Sequence, residues 1–164
     1  MKPAPARRTQ APSVDIKVDS PLWADEPNAE ATVREAIAAA AEMLAADGGE
    51  VSVVLTGDAQ MQELNRTWRK IDKPTNVLSF PAPSPRRDGM LGDIVIAYEA
   101  LKRECEAEEL LFAHHLAHLT VHGFLHLIGY DHHADADAEA MEALESKIMA
   151  RLDMPDPYLA RDTD

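Results

Sequence analysis

The chain has 164 residues, enough for one domain with a substantial core. Its 16 basic and 29 acidic residues give a net charge of −13, which speaks against nucleic-acid binding by the chain taken whole. A single cysteine excludes an internal disulfide and a thiolate metal site, and no apolar run approaches the roughly 20 residues that span a bilayer, so a cytoplasmic protein with no membrane attachment is expected.

In chain order, the opening MKPAPARRTQAPS is charged but lacks an apolar segment, so residues 1–12 read as a disordered tail rather than a secretory signal. SVDIKV (13–18) alternates as a strand does. Asn28 is placed to cap a helix carrying Val33, Ile37, Ala40 and Leu44 on one face, and Asp47-Gly48-Gly49 stops it. EVSVVLTG (50–57) is an apolar strand, and Asp58 can cap the helix AQMQELNRTWR that follows. TNVLSFP (75–81) and GDIVIA (92–97) are strands separated by a Pro-rich loop. Three helices are predicted after them: about Tyr98 to Glu106, a long one from about Glu108 to Ile128, and about Asp135 to Leu152. Strands first and helices later predict an α+β fold: one domain over 13–152, a small mixed sheet of about four strands packed against helices, and a loose C-terminal tail over 153–164.

All seven histidines fall between His114 and His133. His122 and His126 are four residues apart, about 40° round one helix face, so their rings can converge on one point. Gly129 is a left-handed stop, and the returning chain delivers His132 from a turn. Three histidines leave a fourth tetrahedral position for water, the arrangement of a catalytic metal site at the end of the long central helix. Zinc is the expected ion, one per chain, although imidazoles also suit nickel and copper. His118 lies one turn before His122 and reads as a neighbour behind the ligands or a fourth ligand, whereas His114, His115 and His133 read as surface or satisfied core residues. Asp131 adjoins His132 and can orient it. A zinc protease of the His-Glu-x-x-His type needs a glutamate where this chain has Gly123.

A second constellation opposes the acidic average. From Arg66 to Arg87 six cations (Arg66, Arg69, Lys70, Lys73, Arg86, Arg87) face only Asp72, a net of +5. Arg69, beside Trp68, suits a bidentate grip on phosphate, and Arg66, Lys70 and Lys73 suit substrate binding through charge. A metal site opposite such an arginine is equipped for phosphodiester cleavage.

HGFLHLIGYDH at 122–132 resembles the signature of the YbeY family of single-strand-specific endoribonucleases, and WRKIDKPTNVLSFP and LGDIVIA resemble that family's other two blocks, in the same order. The resemblance covers about residues 50–152. It implies a zinc-dependent hydrolase of RNA phosphodiester bonds in ribosomal RNA processing, notably of the 16S 3′ end, and in ribosome quality control, with the ribosome or its small subunit as partner. The family's three histidine ligands match His122, His126 and His132, and its functional arginine matches Arg69. Two other accounts stand beside it: a ribosome-associated binding factor with a structural metal, and a zinc peptidase or amidohydrolase.

Overall fold

In the computed structural model, the structure describes residues 11–46, 48–83, 89–131 and 133–159. The elements are β1 (Ser13–Val18), a short 3-10 turn (Pro21–Asp25), α1 (Ala29–Met43), β2 (Glu50–Thr56), α2 (Asp58–Arg69), β3 (Val77–Pro81), β4 (Met90–Ala97), α3 (Tyr98–Glu108), α4 (Phe112–Leu127) and α5 (Asp135–Arg151). The four strands form one mixed sheet in the order β1-β2-β4-β3, with β1, β2 and β4 parallel and β3 antiparallel at the edge. The α+β expectation, a four-stranded mixed sheet against helices, is met.

Strand alternation divides the core in two. Val51, Val53, Leu55, Ile94 and Ile96 face a large cluster built with α1, α4 and α5. Leu78, Val95 and Ala97 point the other way, onto Met61 of α2. Between α1, α5 and the sheet runs α4, buried along most of its length (Leu116, Ala117, Leu119, Val121, Phe124, Leu125, Leu127). A helix buried over so much of its length is a core helix, so the two histidines near its end are carried by an element set in the core.

Local details differ from the sequence-based expectation. The long helix begins at Phe112 rather than near Glu108, because Glu109 takes a left-handed conformation (φ 54°) and Leu110 N–H closes onto the Cys105 carbonyl at 2.9 Å. Asn28 stands at the α1 N-cap but makes no side-chain capping bond. Asp58 is the first residue of α2, not its cap; its carboxylate accepts from Arg103 at 2.7 Å. Of the stretch expected to trail loosely after residue 152, the described part is tied to α5, where Asp156 accepts from Ser146 Oγ at 2.7 Å. Cys105 is buried, and burial pushes its thiol up to about 11, so it is no nucleophile at neutral pH. Among the described residues no helix is long and apolar enough to cross a membrane.

Gly92 of β4 is the position where glycine is required. Its φ is +143°, and a Cβ there would collide with the Phe80 carbonyl oxygen and stand 2.7 Å from Leu127 Cδ2. The close approach lets the end of α4 settle onto β4. Backbone strain and overpacking together predict that Gly92→Ala costs about 3 kcal/mol, or roughly 6–12 °C in Tm. Thermal unfolding followed by circular dichroism checks this; a loss below about 1 kcal/mol would show that strand and helix can part without penalty.

Candidate metal centre

His122 and His126 leave the same face of α4 in its last turn and a half. Their rings stand nearly perpendicular, at 80°, with centroids 4.6 Å apart. The inner nitrogens face each other, Nε2 to Nε2, at 3.1 Å. The outer nitrogens are both committed. His126 Nδ1 donates to the Tyr130 carbonyl at 2.9 Å, and His122 Nδ1 donates to Glu145 Oε1 at 2.9 Å. A carbonyl and a carboxylate only accept, so each Nδ1 carries a proton, and in the neutral form in which histidine binds a metal both rings turn a lone pair inward. Two facing lone pairs repel unless a cation sits between them. Nitrogen donors about 2.0–2.1 Å from a tetrahedral zinc would be about 3.3 Å apart, close to what is seen. The donor set therefore fits a divalent metal.

The turn after α4 helps to build this geometry. Gly129, at φ +108°, reverses the chain; Tyr130 N–H closes onto the Leu125 carbonyl at 3.0 Å, and the Tyr130 carbonyl is thereby aimed at His126. One glycine thus ends the helix and sets the tautomer of His126. The third expected donor, His132, lies outside the described residues, as do Arg86 and Arg87 of the basic stretch. Among the described residues alone, no group of three His, Cys, Asp or Glu side chains could hold an ion. Asp131 accepts from the backbone N–H of His133 at 3.3 Å.

Arg69, the last residue of α2, meets the two histidines across a cavity of about 470 Å³ that Asn76, Ser79 and Asp131 also line. Lys70, left-handed at φ 62°, ends the helix directly after it. The other basic candidates do not line this cavity. Arg66 is exposed and paired with Glu63, Lys70 Nζ donates to the Thr67 carbonyl at 3.3 Å, and Lys73 is exposed in a loop braced by Asn65 Nδ2 on the Lys73 carbonyl at 2.9 Å. Trp68 packs edge-on against Phe80, with centroids 6.2 Å apart, so the ring contact seen is with β3 rather than with Arg69.

Gly123 occupies the place of the protease glutamate, and its environment explains why. A Cβ there would stand 3.0 Å from both Ile94 Cγ2 and Ser79 Oγ. The position faces the sheet, not the cavity, and Ser79 Oγ donates to the Gly123 carbonyl at 3.1 Å. No general base can enter from it.

Two residues were missed by sequence reasoning. Glu145 of α5 is fully buried; its Oε1 accepts from His118 Nε2 at 3.1 Å as well as from His122, and its Oε2 accepts from the Tyr158 hydroxyl at 2.8 Å. Burial works against its charge, yet hydrogen bonds from His118 and His122 and the pull of both rings hold its pKa down at about 2. Burial, and then the charge of Glu145, push the Tyr158 phenol far above its ordinary value, so its hydroxyl stays a donor. The signal for Glu145 was in the sequence: Met141, Glu145, Ile148 and Met149 form one buried stripe of α5, and a carboxylate in such a stripe needs partners. His118 Nε2 reaches Glu145 Oε1 at 3.1 Å and the Tyr158 hydroxyl at 3.2 Å. His115 is buried against Glu104 Oε1 at 2.9 Å, a satisfied core histidine.

A buried helix that ends in a histidine pair, facing an arginine across a cavity of about 470 Å³, defines an α+β domain whose paired imidazoles fit a metal ion. Comparison with known proteins narrows the class. The endoribonuclease YbeY family model matches residues 16–153. Proteins named endoribonuclease YbeY from a Bradyrhizobium strain and from Rhodopseudomonas palustris are each 54% identical to this chain, covering 92% of it and 95% of their own length. One from Nitrobacter winogradskyi is 52% identical, over 92% of this chain and 84% of its own. The solution structure of TM1509 from Thermotoga maritima shares the fold, with a TM-score of 0.58 at 21% identity, over 92% of this chain and 97% of its own. The chain belongs to the endoribonuclease YbeY family.

Proposed function

We propose that the protein is a single-strand-specific, metal-dependent endoribonuclease that acts in the cytoplasm on ribosomal RNA, maturing the 16S 3′ end and serving ribosome quality control, with the ribosome or its small subunit as partner. The relatives' names support the endoribonuclease activity. The observation that carries the metal is the Nε2 pair, 3.1 Å apart, with both Nδ1 protons committed elsewhere.

His122, His126 and His132 would hold the ion, and zinc bound there would supply a Lewis acid and an activated water. The chain's own residues do the rest. Tyr130 and Glu145 fix the ring tautomers. Arg69, across the cavity, binds non-bridging phosphate oxygens and offsets the charge that grows on them. An adjoining cavity of about 530 Å³, which shares Asn76, Val77 and His122, is lined by Glu104 and Glu108. Those carboxylates repel phosphates, so the RNA backbone enters on the Arg69 side. The test is cleavage of end-labelled single-stranded RNA, the same sequence as duplex, and generic peptides, each with and without chelator. Chelator-sensitive cleavage of single strands alone supports the reading; peptide hydrolysis, or no cleavage of any substrate, contradicts it.

Lys70 and Lys73 are exposed, whereas Arg66 shares its charge with Glu63. Each phosphate contact on a single strand adds about 0.7 to the slope of log affinity against log salt. Changing both lysines to alanine is expected to flatten that slope by up to about 1.4, and Arg66→Ala by less. Filter binding across a salt series measures it; an unchanged slope places the RNA elsewhere.

A further inference from the structure

Glu145 gathers three donors from two places in the chain. His118 and His122 come from α4, and Tyr158 comes from the segment after α5. That segment is anchored: Tyr158 N–H donates to Asp156 Oδ1 at 2.9 Å, and the same oxygen accepts from Ser146 Oγ. The Tyr158 ring also stands edge-on to His118, with centroids 5.4 Å apart at 89°. With each oxygen engaged, the carboxylate has one orientation, and it presents Oε1 to His122 Nδ1.

We propose that Glu145 is the positioning residue of the histidine centre and that Tyr158 clamps it, so that the segment after α5 helps to set metal affinity. The proposal rests on the metal reading above. A carboxylate on the outer N–H of a histidine fixes the ring's tautomer and orientation and strengthens its inner nitrogen as a donor; loss of such a partner weakens metal binding by about 10- to 100-fold. His126 is served by a backbone carbonyl from its own turn. His122, one turn earlier, is beyond that turn's reach, and the carboxylate comes instead from α5. Tyr158 acts through Glu145. It donates to Oε2, which keeps Oε1 on the two rings.

Zinc affinity is measured by competition with a chromophoric chelator, alongside the visible absorption of the cobalt-loaded protein and the melting temperature of the metal-free protein. Tyr158→Phe removes one hydroxyl from a side chain that is 41% exposed. It is expected to leave the metal-free melting temperature unchanged, weaken zinc about three- to tenfold and alter the cobalt spectrum. Glu145→Gln keeps shape and is expected to weaken zinc by about 10- to 100-fold. In the double variant the two losses are expected to be non-additive, since one residue works through the other. If Glu145→Gln does not fold, Tyr158→Phe still decides. A parent protein that holds zinc while the folded variants match it within twofold overturns this proposal alone. A parent that holds no zinc overturns the metal reading and this proposal together.

Discussion

Arg69→Lys is expected to keep the fold and the metal, bind RNA nearly as well, and cleave roughly 100- to 1000-fold more slowly, the usual cost of one well-placed transition-state donor, about 3–4 kcal/mol. The argument is geometric. Arg69 sits at the C-terminal end of α2, where the helix dipole favours a cation, and it lines the cavity that holds His122 and His126. Lysine carries the same charge at neutral pH but not the planar fork that grips two oxygens at once. Its neighbours Arg66, Lys70 and Lys73 do not line that cavity, so charge in the loop cannot stand in for it. Single-turnover cleavage at saturating protein isolates the effect. Cleavage within about threefold of the parent would put less than about 1 kcal/mol at stake and leave Arg69 as one more exposed cation of the basic stretch.

The histidine pair was legible because it depends on local geometry. Spacing of four on an apolar helix and a stop glycine fix where His122 and His126 point, and neither requires knowledge of the fold. The strands were legible for the same reason: β1 alternates polar and apolar residues, and β2 and β4 carry apolar runs. What could not be read depends on packing between distant segments. Glu145 lies 23 residues from His122 and 27 from His118, on another helix, and only the docking of α5 on α4 brings them together. Tyr158 is 40 residues from the histidine its ring meets. The start of α4 was misjudged because the break falls on Glu109, a residue with no breaker signal, held left-handed by the turn between α3 and α4. Within the basic stretch, the end of α2 at Arg69 is also a matter of packing: among the described basic residues there, it is Arg69 that lines the cavity.

His126→Ala is the other large effect expected. His126 is half-buried at the end of α4, and alanine is a good helix former, so the fold should survive. What is lost is one of the two lone pairs that meet at 3.1 Å. Metal content should fall from about one ion per chain to a small fraction of that, and RNA cleavage with it. Full metal retention in a folded His126→Ala protein would overturn the ligand assignment.

The most direct test joins that centre to the chemistry. Metal is stripped from the protein, zinc is returned in measured steps, and single-turnover cleavage of a single-stranded ribosomal RNA fragment is followed at each step. The account predicts no cleavage without metal, a rise that levels off at one equivalent of zinc per chain, and no such rise in His126→Ala. Cleavage at the full rate by the metal-free protein would contradict it.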